Sequence, residues 1–188
     1  MERIQRLLDQ LRGYASADAA EAEYRRAMLE LLESADEAFS RGHFVPGHFT
    51  ASCYIVDAEG RLLLHHHKRL NRWLQMGGHV EADEAPDLAA LREGREESGL
   101  PDLMQMTDGI FDLDIHVIPA AKGEPDHAHF DIRYLMRTAS PEAAVADRDE
   151  SNDLAWVTLD RAAELMPGPD AARVLRKIER LWRERSVS

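Results

Sequence analysis

Apolar and polar positions alternate along this chain with two different periods, and the change of period separates helices from strands. Ile4, Leu7, Leu8 and Leu11 recur at the spacing that stacks side chains on one face of a helix, and Tyr24, Met28, Leu31, Leu32, Ala35 and Phe39 repeat it. Two amphipathic helices are therefore predicted, divided at Gly13, with Asp18 and Glu21 at capping-box spacing opening the second. Past Arg41 and Gly42 the period drops to two: Phe49, Ala51, Cys53 and Ile55 alternate with Thr50, Ser52, Tyr54 and Val56, which predicts a strand. Asp57 to Gly60 reads as a turn into a second strand over 61–67. A short strand around 73–76 leads to Gly77 and Gly78, read as a loop. A helix then opens at Pro86, where a missing N–H is harmless, and closes near Gly99.

Farther along, Phe111, Leu113, Ile115 and Val117 alternate with Asp112, Asp114 and His116, and Phe130, Ile132 and Tyr134 alternate with His129, Asp131 and Arg133. For a hairpin turning at 121–124, one register sets Asp112 opposite Arg133, Asp114 opposite Asp131 and His116 opposite His129 on one polar face. An acidic, loop-like stretch over 141–153 precedes a strand over 154–159, a short helix over 160–166 and a last helix opened by Pro169. In that helix Val174, Leu175, Ile178, Leu181 and Trp182 form the expected core face, while Arg173, Arg176, Lys177, Arg180, Arg183 and Arg185 are expected to be mostly exposed.

Composition narrows the class. At 188 residues the chain can bury about 70% of its unfolded surface in one domain without disulfides. Cys53 is the single cysteine, which excludes a disulfide framework and a cysteine-rich zinc site and points to a reducing, cytoplasmic address. No apolar run is long enough for a membrane span, and no signal peptide is read at the start. The 23 Lys and Arg against 35 Asp and Glu give a net charge of −12, which opposes binding to nucleic acid; any bound phosphate needs local neutralisation.

Residues 78–100 supply the chemistry. Glu93, Glu96 and Glu97 stand at i, i+3 and i+4, so one side of a helix carries three carboxylates that repel unless a cation compensates. Hard carboxylate oxygens suit Mg²⁺ or Mn²⁺, which bridge such groups to substrate phosphates.

The stretch resembles the Nudix hydrolase box, G-x5-E-x7-R-E-U-x-E-E-x-G-U with U a bulky aliphatic residue, through Gly78, Glu84, Arg92, Glu93, Glu96, Glu97, Gly99 and Leu100. It departs at Gly94, where an aliphatic residue is usual, at Met76, where proline is common, and at Ala85, which lacks a capping hydroxyl. The resemblance implies an α/β (α+β) Nudix-type α/β/α sandwich with a mixed sheet over 43–185, preceded by an N-terminal helical extension over 1–42. It also implies Mg²⁺-dependent (or Mn²⁺-dependent) hydrolysis of a diphosphate bond in a nucleoside diphosphate linked to another moiety, water attacking phosphorus. By the same resemblance the Gly77 carbonyl with Glu93, Glu96 and Glu97 holds metal, Glu84 pairs with Arg92, and the general base is either a box glutamate such as Glu93 or a later one, for which Glu150 is the best candidate; Glu97 joins them as a catalytic residue. Two rivals remain: a non-catalytic nucleotide-sensing module, and an isopentenyl-diphosphate isomerase, which needs a catalytic cysteine, whereas Cys53 lies in an apolar strand.

Outside the box, Lys68, Arg69 and Arg72, just ahead of it, either contact substrate phosphate or belong to an ordinary solvated loop, and His129, Asp131 and Arg133 either line the substrate pocket or form an internal ionic network. His65, His66 and His67 cannot all ligate one ion, because neighbours on a strand face opposite ways; exposed strand positions are expected for them. The N-terminal helical pair is open to two readings, packing on the domain or a homodimer contact.

Overall fold

A computed structural model describes residues 2–121 and 123–186. The elements run α1 (Glu2–Gly13), α2 (Ala19–Ser34), β1 (Gly47–Val56), β2 (Leu62–His67), β3 (Arg72–Leu74), β4 (Met76–His79), α3 (Pro86–Ser98), β5 (Met104–Gln105), β6 (Asp112–Ile118), β7 (His127–Arg137), a 3₁₀ turn at Pro141–Ala143, β8 (Ser151–Val157), α4 (Leu159–Leu165) and α5 (Pro169–Ser186). The N–H of Ala128 bonds to the Pro46 carbonyl and that of Thr138 to the Val56 carbonyl, a constant offset, so β7 runs parallel to β1. The β6–β7 and β2–β8 pairs are antiparallel, which makes the sheet mixed. No helix among the described residues is long and apolar enough to cross a membrane.

By contacts the chain divides into two compact units, one from the described residues of 1–53, 77–93 and 107–134, the other from those of 54–76, 94–106 and 135–188. In the first, Leu7 and Leu11 of α1 and Met28, Leu31 and Leu32 of α2 are buried, as their spacing predicts. Asp18 caps α2 by accepting from the N–H groups of Ala20 and Glu21. Glu21 does not complete a capping box. Its fully buried carboxylate accepts from the hydroxyls of Tyr14 and Ser16 and, at 3.2 Å, from the N–H of Leu113, which fastens α2 to β6. The helix stops at Ser34, earlier than the apolar stripe, because Ala35 turns to extended backbone; Phe39 enters the core from the following turn, 5.2 Å from the Phe49 ring.

The β6–β7 register is the predicted one, Asp112 opposite Arg133, Asp114 opposite Asp131 and His116 opposite His129, with a bridge between Ala121 and Glu124 at the turn. Both faces of β1 are buried, although one carries Thr50 and Ser52. Their hydroxyls donate to Asp131 at 3.0 and 2.7 Å, which is how a polar face survives burial. Gly77 and Gly78, expected in a loop, lie inside β4, which pairs with β1. A Cβ at Gly77 would fall 2.4 Å from the Cβ of Ser52, so only glycine lets the strands approach this closely.

In the second unit Leu62, Leu63 and Leu64 of β2 are fully buried, and β2 pairs with the end of β1, with β3 and with β8. β8 starts at Ser151, inside the stretch expected as loop, because Ser151 pairs with His67 across a bulge and bonds the His65 side chain. Gly60 turns with φ of 77°, a left-handed conformation, directly beneath the Trp182 ring. α5 buries Val174, Leu175 and Ile178 as predicted; Arg173, expected outside, is 4% exposed, and its guanidinium binds Asp170 at 2.8 Å.

Replacing Glu21 with Ala removes a buried acceptor shared by the Leu113 N–H and the Tyr14 and Ser16 hydroxyls, so urea denaturation should show a loss of about 2–3 kcal/mol. A loss under about 0.5 kcal/mol, the size of a neutral surface change, contradicts this role.

Candidate active site

The site grows from one helix and the loop that precedes it. Pro86 opens α3, which continues unbroken through Gly94 to Ser98; Gly94 is buried, and its carbonyl accepts from the Ser98 hydroxyl. Gly99 ends the helix in the left-handed region, its N–H bonding the Arg95 carbonyl at 2.8 Å. Carbonyls at the end of α3 are taken by the loop ahead of β8: Val145 N–H bonds the Ser98 carbonyl at 2.8 Å and Asp147 N–H the Glu97 carbonyl at 3.3 Å.

Arg92 organises the N-terminal part. Its guanidinium donates to Glu84 at 3.0–3.4 Å, to Glu93 at 2.9 Å and to the His79 carbonyl at 3.0 Å. The Glu84 bonds foremost, with Glu93 adding, hold Arg92 still more firmly protonated than usual. Glu84 also accepts from the Glu81 N–H at 3.2 Å, which fixes the loop ahead of the helix. A Cβ at Gly78 would lie 2.4 Å from a Glu93 oxygen, so this glycine leaves strand backbone open to a carboxylate. Glu93 is half-buried, Glu96 exposed and Glu97 buried, all on α3. The side chains of Glu93, Glu96 and Glu97 offer oxygen donors only, the ligand type that a hard divalent cation takes.

In the second unit the His65 ring, 1% exposed rather than at the surface, bonds the Ser151 hydroxyl at 2.7 Å and lies 3.9 Å from a Glu97 oxygen. Burial, then the neighbouring His67, push its pKa down to about 4, so it faces Glu97 as a neutral ring at pH 7. His66 and His67 are half-exposed. Glu150 stands on an exposed turn whose carbonyl accepts from the Lys68 N–H at 2.9 Å. Arg72 is exposed at the start of β3.

The remaining candidates belong to the first unit. Asp131 and Arg133 are buried in a network in which Arg133 donates to Asp131 at 3.0 Å, to Asp114 at 2.7 Å and to Asp112 at 3.4 Å. His129 lies in a group of imidazoles with His48, His79, His116 and His127, ring centres 4.9–5.5 Å apart. Burial above all, then the other imidazoles, lower His129 to about 2, and burial lowers His48. The register placed His116 beside His129; it gave no sign of His48 and His79, which arrive from other strands.

Residues 46–178 match the sequence profile of the NUDIX domain family. A curated relative, a probable DHNTP pyrophosphohydrolase of Lactococcus lactis subsp. cremoris (strain MG1363), is 29% identical over 143 residues, covering 75% of this chain and 83% of the relative. Among solved structures, a NUDIX-family hydrolase from Clostridium perfringens aligns with a TM-score of 0.53 and 28% identity over 71% of this chain and 97% of that one. An Ap4A hydrolase of C. elegans aligns with a TM-score of 0.60 over 72% and 98%, and at 21% identity the likeness is one of fold. The chain belongs to the Nudix family and is a Nudix pyrophosphohydrolase. Family membership implies a small diphosphate-containing substrate and, typically, dependence on a divalent metal.

A His65 pKa of about 4 in the fold, against about 6.5 in the unfolded chain, means that only the unfolded state takes up this proton between those values. Stability of the metal-free protein should therefore be intact above pH 6.5 and fall by on the order of 2 kcal/mol as pH drops toward 4. Urea midpoints at pH 7.5 and 4.5 should shift less in His65→Asn; an equal shift assigns the acid sensitivity to other groups.

Proposed function

We propose that this protein is a Mg²⁺- or Mn²⁺-dependent hydrolase of a diphosphate bond in a nucleoside diphosphate linked to another moiety, with water attacking phosphorus. The observation that carries this reading is the run of three glutamates at i, i+3 and i+4 on α3, one of them buried, in a chain of net charge −12. Clustered like charges on a helix are unfavourable without a cation among them. The Gly77 carbonyl, Glu93, Glu96 and Glu97 are the residues that hold it. When bound, such a cation polarises the phosphoryl group, acidifies water and neutralises the leaving phosphate.

The chain's own groups divide the rest of the work. Arg92 and Glu84 brace loop against helix and keep Glu93 in position. Glu150 takes the proton from the attacking water, with Glu93 as the box alternative; its turn is anchored through the bond from Lys68 and through Asp147 at the end of α3. Glu97, whose main-chain carbonyl accepts from the Asp147 N–H, is the most deeply buried of the three glutamates. Arg72, exposed and cationic, meets substrate phosphate. His129, half-exposed among imidazoles, lines a substrate pocket of the first unit. Asp131 and Arg133 support that pocket from the buried network. Residues 43–185 form the hydrolase domain, consistent with the family match over 46–178, and 1–42 the helical extension. The name of the Lactococcus relative adds DHNTP to the compounds worth testing.

A panel of nucleoside triphosphates, nucleotide sugars, dinucleoside polyphosphates and DHNTP, assayed with Mg²⁺ and Mn²⁺, should yield phosphate or pyrophosphate products from at least one class. On that substrate Glu97→Gln should lower kcat roughly 100-fold or more with an unchanged circular dichroism spectrum. Full turnover in that variant removes the mechanism. Glu150→Gln should lower kcat by roughly 100-fold and leave KM alone, whereas an unaltered kcat transfers the base to Glu93.

A further inference from the structure

One ring nitrogen from each of His48, His79 and His129 falls within 4.8 Å of the others, a convergence of side chains from β1, β4 and β7 that the carboxylate chemistry above does not use. His48 is fully buried. Its Nδ1–H donates to the His43 carbonyl at 3.3 Å, and its Nε2 is buried with no hydrogen-bond partner. A buried ring nitrogen left unpaired is costly, and a bond from the other ring nitrogen to a backbone carbonyl is the usual way a metal-binding imidazole is held in its tautomer. Two more imidazoles pack around the trio: His127, whose Nδ1–H donates to the Pro125 carbonyl at 2.8 Å, and His116, which bonds Asp114 at 2.8 Å.

We propose that His48, His79 and His129 form a second metal site, selective for a borderline divalent cation such as Zn²⁺ and chemically distinct from the carboxylate site on α3. Imidazole nitrogen suits Zn²⁺, whereas Mg²⁺ takes oxygen, so the two donor sets sort the two cations. A tetrahedral Zn²⁺ about 2.0–2.1 Å from each nitrogen sets the nitrogens about 3.3 Å apart, a contraction that small ring rotations supply. Three neutral ligands leave a fourth position open and the full double charge of the ion in place. His79 directly follows Gly78, whose missing Cβ leaves room for the Glu93 carboxylate, so this charge stands beside the box and favours an anionic oxygen of the substrate in the open position.

The test uses the full-length protein, freed of metal by a chelator and titrated calorimetrically with ZnCl₂ alone. The wild type and Glu97→Gln should each bind one tight equivalent, and His48→Gln and His129→Gln should bind it roughly 100-fold more weakly or worse. X-ray absorption at the zinc edge on the wild type with one equivalent should show nitrogen neighbours with imidazole scattering, which keeps the proposal testable even if His48→Gln fails to fold. Absence of tight binding, an oxygen-only shell, or equal affinity in folded His129→Gln overturns it. None of these results depends on whether Glu97→Gln has lost turnover, so the two proposals fail separately.

Discussion

One guanidinium holds the box together. Arg92 sits among acids in a strongly acidic chain and spends its nitrogens on Glu84, Glu93 and the His79 carbonyl. Each bond joins a different piece of backbone: the loop before α3, α3 itself and β4. The planar fork can reach all three at once with fixed geometry, which a lysine ammonium on its flexible stem cannot do. Because Glu93 is held from one side by Arg92 and approached from the other by Gly78, its position is set before any ligand arrives. Such preorganisation is what a site that works by positioning charge requires.

A second ionic cluster sets the shape of the first unit. Arg133 lies among Asp112, Asp114 and Asp131, and Asp131 also accepts from Thr50 and Ser52. This network lets β1 be covered on both faces although it alternates in polarity. Buried charges are tolerable only when paired and hydrogen-bonded, and here the carboxylates share one cation and several hydroxyls. The arrangement costs desolvation, and it fixes the pairing of β6 with β7, since a slip by one residue would carry Arg133 away from Asp112 and Asp114.

The sequence made legible what depends on local spacing. Pro86 and Pro169 mark true helix starts, Asp18 is a true cap, and the β6–β7 register followed from alternating acids and histidines facing one another. It hid what tertiary contact decides. Glycine pairs usually signal loops, yet Gly77 and Gly78 lie in a strand because a neighbour needs their missing side chains. Acidic, proline-flanked sequence usually signals loop, yet Ser151 joins β8 because His65 reaches it. The box acids could be placed on a helix from spacing alone, whereas the burial of Glu97 and the neutrality of His65 come from neighbours distant in sequence. The imidazole group was half visible, through His116 and His129; the other half needs strands that no periodicity pairs.

Cys53, the chain's sole thiol, lies in the part of β1 that is completely covered. Alkylating reagents can reach it only when that strand is exposed, so the rate of its modification counts excursions of the native state toward opening. The molecule thus carries a built-in reporter of its own breathing at the strand that joins β2 to β7, with no label to add and no competing sulfhydryl to confuse the signal.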